Sequence, residues 1–309
     1  MSLPSAITAA LRVAGLDPDW VADLVRASID EDLVGGDGVH GGPRGGWPQD
    51  VTGTATVSER QQAQAHVVPR AAGVVAGIPV AAAVFAVVGE PDVHTEAHVS
   101  DGAAVRPGDR VLSVSGPARA LLLGERTALN LLGRASGVAT TTRRWVDAVQ
   151  GTGTAIRDTR KTTPLLRALE KYAVRCGGGT NHRFSLSDAA LIKDNHVASA
   201  GGVVEAIHAV RRYAPEVPLE VEVDSLDEAR AAASAGADLI LLDNFDVPTT
   251  RAAVELLDGR CRIEASGGLT LQRAREYAEA GVDYLAVGAL THSAPALDLG
   301  LDFEPSAIG

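Results

Sequence analysis

Residues 218–244 read PLEVEVDSLDEARAAASAGADLILLDN, two short apolar runs around one helical pattern. The runs at 218–224 and 239–244 have strand length and strand composition, and 225–235 has the apolar spacing of an amphipathic helix. A strand, a single helix and a second strand make a parallel βα unit. Similar runs stand at 154–159, 189–194, 262–266 and 284–288, with helical patterns at 202–213, 248–257 and 270–280. Lys193, Glu222, Asp243, Ser266 and Gly288 mark successive strand ends at intervals of 21–29 residues, the length of a βα repeat. No Gly-rich dinucleotide fingerprint follows the first strand, so the expected fold class is α/β with a TIM-like barrel.

The first 120 residues read differently. Helices are expected at 5–15, 18–30 and 78–88, and β-like runs at 54–57, 64–69, 73–76 and 110–116. Together they suggest a separate α+β domain with a mainly antiparallel sheet, from which a helix at 119–132 leads out. Between the first two helices and the first β-like run lies GGDGVHGGPRGGWPQ (35–49), too rich in Gly and Pro for a regular element. Its Trp47 is expected to anchor packing rather than bind a ligand.

A chain of 309 residues with 46% hydrophobic and 22% charged residues can bury a full core, which excludes disorder. Two cysteines, Cys176 and Cys261, support neither a disulfide framework nor a zinc pattern. Without a membrane-length apolar run or a basic, cleavable leader, the expectation is a soluble cytoplasmic protein. A net charge of −11 argues against nucleic acid as the main partner. Residues 157–193 reverse that balance, with eight Lys/Arg against three acids, and hold all three lysines, Lys161, Lys171 and Lys193. A basic stretch is commonly a solvated face; here it also suits an anion site that uses both ammonium and guanidinium groups.

In a parallel barrel the βα loops gather at the C-terminal ends of the strands, and functional groups gather with them. Nearly every expected strand here ends in polar residues: Asp158-Thr-Arg160-Lys161, Lys193-Asp194-Asn195, Glu222-Val-Asp224, Asp243-Asn244 and Glu264-Ala-Ser266-Gly267-Gly268. Alternation puts Glu220, Glu222 and Asp224 on one face and Val221 and Val223 on the other. With the valines against outer helices, the carboxylates face the barrel axis and need cations such as Lys193 or Mg²⁺, either at a ligand site or in an internal salt-bridge layer. Ser266-Gly267-Gly268 and Gly288 follow the last two strands, where small residues let backbone N–H groups approach a phosphate. Gly177-Gly178-Gly179 precede His182 and Arg183, and Arg160 with Arg183 could clamp a small dicarboxylate through bidentate forks. Cys176 reads as a small filler rather than a nucleophile.

These residues sit in stretches that resemble the quinolinate phosphoribosyltransferase family: ERTALNLLGRASGVAT (125–140), DTRKTTPLLRALEKYAVRCGGGTNHR (158–183), DAALIKDNH (188–196), EVEVDS (220–225), LLDNF (241–245), EASGG (264–268) and GVDYLAVGALTH (281–292). The resemblance implies an N-terminal α+β sandwich domain over 1–133, completed by 291–309, and an incomplete TIM-like α/β barrel over 134–290. It implies transfer of phosphoribose from phosphoribosyl pyrophosphate to quinolinate with decarboxylation, giving nicotinate mononucleotide, pyrophosphate and CO₂ in NAD biosynthesis. On the same ground Arg160, His182 and Arg183 hold the quinolinate carboxylates beside Lys161. Arg126 reaches the neighbouring site of a homodimer, and Lys193, Ser266, Gly267 and Gly288 cradle phosphates. Glu222 and Asp243 hold the ribose hydroxyls and Mg²⁺, and with Lys161 they make up the catalytic set. The 35–49 insertion departs from the family pattern, splitting Glu31-Asp32-Leu33 from Asp50-Val-Thr52, and is expected to be a surface loop that leaves catalysis intact.

Other readings remain open on sequence alone: a related transferase acting on nicotinate or, like the molybdenum-transport-associated homologue, on another ring; a barrel lyase using Lys193 as a Schiff-base amine; and a non-catalytic sensor of a phosphorylated ligand.

Overall fold

The computed structural model describes residues 3–34, 50–89 and 91–304. The Gly-rich insertion at 35–49, Trp47 included, and residues 305–309 of the expected C-terminal return lie outside the described residues.

The chain forms two compact units, one of residues 1–140, 168–176 and 294–309, the other of 141–167 and 177–293. In the first, helices α1 (Ser5–Val13), α2 (Pro18–Val34) and α3 (Val51–Thr56) precede strands β1 (Gln62–Pro69) and β2 (Gly73–Val74). Helix α4 (Ile78–Gly89) follows, then β3 (His94–Ala97), β4 (Ala104–Val105), β5 (Leu112–Pro117) and the long α5 (Ala118–Ala148). The order β12–β1–β5–β3 makes an antiparallel sheet, its first strand being the late β12 (Leu299–Phe303). Along β1, Ala63, Ala65 and Val67 alternate into the core. Helix α4 is apolar all round and buried over nearly its whole length, as a core helix must be. Its first turn is capped by Asp101, which accepts N–H bonds from Gly77 (3.0 Å) and Ile78 (3.1 Å).

Three differences from the sequence expectations have local causes. Residues 54–57, expected as a β-like run, fall mostly in α3, because the Asp50 side chain accepts the Gly53 N–H and caps a helix there. The helix expected at 119–132 extends to Ala148, since no proline interrupts it and its glycines mark contacts rather than an end. The division between units, expected at 133/134, falls at 140/141 inside that helix. The helix α6 (Arg167–Cys176) also belongs almost wholly to the first unit. Its Glu170 pairs with Arg134 at 2.7 Å, and Tyr172 donates to Asp101 at 2.6 Å.

The second unit carries six parallel strands: β6 (Ala155–Arg157), β7 (Ala190–Ile192), β8 (Leu219–Val223), β9 (Leu239–Asp243), β10 (Arg262–Ser266) and β11 (Tyr284–Ala286). Helices α7 (Asp194–Ala200), α8 (Val203–Tyr213), α9 (Leu226–Ser234), α10 (Val247–Leu257), α11 (Ala274–Ala278) and α12 (Ala289–His292) intervene. The strand order is β6–β11–β10–β9–β8–β7, so β6 and β7 are the two ends of an open barrel. Thr180 forms a parallel bridge with Arg157 and donates its N–H to Ile156 at 2.8 Å, which lays the 180–183 segment along the free edge of β6. Among the described residues no helix is long and apolar enough to cross a membrane.

Two glycines of α5 are seats for the segment leading into β12. The Gly133 carbonyl accepts the Leu297 N–H at 2.9 Å. A Cβ on Gly137 would overlap the Pro295 carbonyl oxygen and lie 2.9 Å from Ala296 Cα. Gly137→Ala is therefore expected to destabilise the first unit by about 1–3 kcal/mol, the usual cost of overpacking; urea denaturation of the variant checks this.

Candidate active site

A cavity of about 840 Å³ opens among the βα loops of the second unit. It is lined by Arg160, Lys161, His182, Arg183, Lys193, Glu222, Asp243, Ser266, Gly267 and Gly288, all expected from the sequence. Arg126 does not line it: this arginine lies on α5 in the first unit and is exposed. Asn244, Glu264 and His292 also line the cavity, together with the apolar Leu191, Leu241 and Leu269. His292 stands one helical turn after Gly288, a spacing that could have flagged it.

The arginines are poised for an anion. The Arg160 side chain meets no acceptor among the described residues, and the buried Nε atoms of both Arg160 and Arg183 lack hydrogen-bond partners. Arg183 spends one N–H on the Ala189 carbonyl, at 2.9 Å. Burial and the neighbouring Arg160 charge hold its pKa below the ordinary arginine value. Each buried unpaired N–H costs about 1–3 kcal/mol, which a carboxylate bound across the two guanidinium groups would recover.

Lys193 is set by its own backbone, since its N–H donates to His196 Nδ1 at 3.0 Å at the start of α7, and its Nζ pairs with Glu222 Oε2. Asp243 Oδ2 accepts from Asn244 Nδ2 at 2.8 Å. The other oxygens, Glu222 Oε1 and Asp243 Oδ1, have no partner among the described residues, and both side chains line the cavity from adjacent strands. Hard carboxylate oxygens of this kind fit Mg²⁺. Gly267 has φ +87°, and a Cβ there would strike Asn244 Oδ1 and lie 3.0 Å from its backbone nitrogen, so the loop after β10 admits glycine alone without displacement. Thr291 Oγ1 donates to the Lys161 carbonyl at 2.8 Å and fixes the loop that carries Lys161.

His182 lines the cavity, and both its ring nitrogens are engaged within the protein. Nδ1 accepts the Arg183 N–H at 2.7 Å, and Nε2 lies 2.8 Å from Glu220 Oε2. His182, Glu220 and Glu264 bring donor atoms within 4.8 Å of one another, all buried. A metal there would need the Nε2 lone pair, but a neutral ring whose Nδ1 accepts an N–H carries its proton on Nε2. The cluster is therefore a buried polar layer, completed by Arg157, which donates to Glu264 Oε2 at 2.6 Å and stacks over the Tyr284 ring. Burial raises Glu220 to about 7 against the pull of Arg157. Burial, and next the Glu220 charge, raise Glu264 to about 7.

The fold is an open α/β barrel, and its cavity is lined by arginines, lysines and carboxylates together. Residues 50–136 match the model of the quinolinate phosphoribosyl transferase N-terminal domain, and residues 138–302 match that of its C-terminal domain. The chain is 51% identical over 288 residues to the nicotinate-nucleotide pyrophosphorylase (carboxylating) of Mycobacterium leprae, covering 92% of this chain and 97% of that protein. It is 42% identical over 254 residues to a probable nicotinate-nucleotide pyrophosphorylase (carboxylating) of Bacillus subtilis, covering 82% and 87%. The crystal structure of NadC from Streptococcus pyogenes is similar with a TM-score of 0.85 at 40% identity, covering 94% of this chain and 99% of that one. The chain belongs to the quinolinate phosphoribosyltransferase family.

Raised carboxyl pKa values have a definite consequence for stability. Between the unfolded value of 4.5 and the folded value of about 7, the folded state holds more protons than the unfolded chain. This layer's contribution to stability is therefore full below that window and falls as pH rises through it. Glu264→Gln keeps an acceptor for Arg157 without the ionisation, so its Tm should fall less steeply than that of the parent between about pH 5 and 8; scanning calorimetry across that range checks it.

Proposed function

We propose that the chain joins quinolinate to the phosphoribosyl group of phosphoribosyl pyrophosphate and releases pyrophosphate and CO₂, forming nicotinate mononucleotide for NAD biosynthesis. The observation that carries this reading is the pair of guanidinium groups with unspent Nε–H, Arg160 and Arg183, in one cavity with two under-used carboxylates, Glu222 and Asp243. The arginines and Lys161 grip the two ring carboxylates, with Leu191, Leu241 and Leu269 as apolar lining for the ring. Lys193 and the backbone around Ser266, Gly267 and Gly288 receive phosphate groups. Glu222 and Asp243 hold the ribose hydroxyls and Mg²⁺, which when bound neutralises the pyrophosphate.

The chemistry needs position and charge rather than a covalent enzyme intermediate. The ring nitrogen takes the anomeric carbon as the bond to pyrophosphate breaks, and carboxylates near the ribose steady the positive charge that builds there. Once alkylated, the cationic nitrogen stabilises the electron pair left on the adjacent carbon when CO₂ departs, and a proton fills that position. Lys161 and Lys193 stabilise the departing phosphates. Arg126 serves the cavity of a second copy in a homodimer, a role its exposed position on α5 supports. A cytoplasmic location accords with substrates that are small, charged metabolites.

Incubation with quinolinate, phosphoribosyl pyrophosphate and Mg²⁺ should give one CO₂ per nicotinate mononucleotide, whereas nicotinate in place of quinolinate should give no turnover. A chelator in excess of Mg²⁺ should abolish product formation. Arg160→Ala should raise the quinolinate KM by about 100-fold, the scale of a lost charge-assisted hydrogen-bond pair, with phosphoribosyl pyrophosphate binding retained by calorimetry.

A further inference from the structure

A complete parallel barrel fills its interior with layers of side chains contributed by alternate strands. Counting along the sheet order, the alternate strands here are β6, β10 and β8, and their inward residues Arg157, Glu264 and Glu220 form one such layer. The register confirms the level. Glu264 is aligned through Tyr284 with Ala155, two residues before Arg157, and through Leu241 with Glu222, two residues after Glu220. A steady step of one residue per strand is the stagger of a closed eight-stranded barrel. The fourth seat of the layer would belong to a strand in the gap between β7 and β6. That strand would stand beside β7, whereas the 180–183 segment bridges to the edge of β6; from there the His182 ring reaches the layer, its Nε2 2.8 Å from Glu220 Oε2.

We propose that Glu220 is a positioning residue for the anion clamp, holding the His182 ring in the buried polar layer so that His182 in turn fixes Arg183. Four contacts make the relay. Glu220 Oε2 accepts from His182 Nε2 at 2.8 Å. The opposite ring nitrogen, Nδ1, accepts the backbone N–H of Arg183 at 2.7 Å, which sets the direction in which that residue leaves the segment. Asp158, fully buried, accepts the His182 N–H at 2.8 Å and an Asn181 side-chain N–H at 2.6 Å, so the backbone is anchored and the ring remains the adjustable part. Glu220 is not among the residues that line the cavity. Its influence on an anion is felt through His182, and the residue that meets the anion is Arg183.

This inference rests on the reading of Arg160 and Arg183 as the quinolinate clamp, and the wild-type protein tests that reading separately: without CO₂ release from quinolinate, the reading itself fails. Given wild-type turnover, Glu220→Ala should raise the quinolinate KM about tenfold or more, the fold-change expected for a lost charge-assisted hydrogen bond. The kcat and the Kd for phosphoribosyl pyrophosphate should stay within about threefold, a margin of well under one decade in free-energy terms. Glu220→Gln, which keeps an oxygen acceptor for Nε2–H, should restore the quinolinate KM to near the parent value. Glu220→Met, which fills the volume with no acceptor, is made alongside in case the alanine variant does not fold, and should behave as the alanine variant is expected to. An unchanged quinolinate KM in the folded Ala or Met variant overturns the proposal, as does an equal loss for both substrates or a failure of Gln to rescue. Loss of fold in both Ala and Met overturns it in favour of a purely structural layer.

Discussion

Arg157, His182, Glu220 and Glu264 share the interior of an open barrel, and the geometry of its mouth depends on how they satisfy one another. Taking a carboxylate out of water costs several kcal/mol, recovered only where partners and hydrogen bonds are well placed. Here the supply is short. One guanidinium faces two carboxyls, and Glu220 Oε1 and Glu264 Oε1 lack hydrogen-bond partners, the latter lying 3.7 Å from His182 Nε2. A raised pKa is the physical relief, because a protonated carboxyl next to a carboxylate removes the repulsion. An apolar layer of equal volume would often be more stable. What the polar layer supplies is direction, since each hydrogen bond fixes an atom that packing alone would leave free to rotate.

That direction matters a few ångströms away, where the cavity wall carries charges that are left incomplete. Arg183 is held close enough to Arg160 for that charge to disfavour its own, and both keep an Nε–H unspent. Glu222 and Asp243 each keep an oxygen without a partner. A folded protein tolerates such arrangements where a ligand completes them, and the cost of holding them ready has already been met when the ligand arrives. Cationic groups for carboxylates and phosphates, beside carboxylates for sugar hydroxyls and a hard cation, match a reaction whose charge shifts along the substrates rather than onto the enzyme.

Much of this was legible in the sequence because parallel βα units write a strong signal. Each strand is a short apolar run with a helix behind it and a polar residue at its end, so 219–223, 239–243 and 262–266 fall almost where the alternation puts them. Inward carboxylates at 220 and 222 followed from period two alone. Local chemistry with weak propensity was harder to read. The Val-Thr-rich α3 is helical because Asp50 caps it. The short β3 carries few apolar residues and β4 is only two residues long, and the pairing of β12 with β1 joins residues more than two hundred positions apart, beyond the reach of any local pattern. The polar layer was foreseen only as an alternative to a ligand site. In the structure Glu220 belongs to the layer and Glu222 to the cavity, a separation of two residues along one strand that alternation cannot resolve because both face inward.

The same distinction explains why the mouth can be both open and exact in its placement. A barrel lacking strands has a free edge, and a free edge lets side chains drift unless something occupies it. The segment from Thr180 to Arg183 does so with two anchors of different kind, a backbone bridge to β6 and a ring seated among buried carboxylates. On the far side of the cavity the fixing is steric: Asn244 holds a left-handed φ of +56°, donates its N–H to the Ser266 carbonyl at 2.9 Å, and leaves no room for a Cβ on Gly267. One wall is thus set by hydrogen bonds among buried groups and the other by backbone contact. A substitution that loosens the first should disturb the recognition of carboxylates while leaving the second, and the phosphates it is suited to receive, in place.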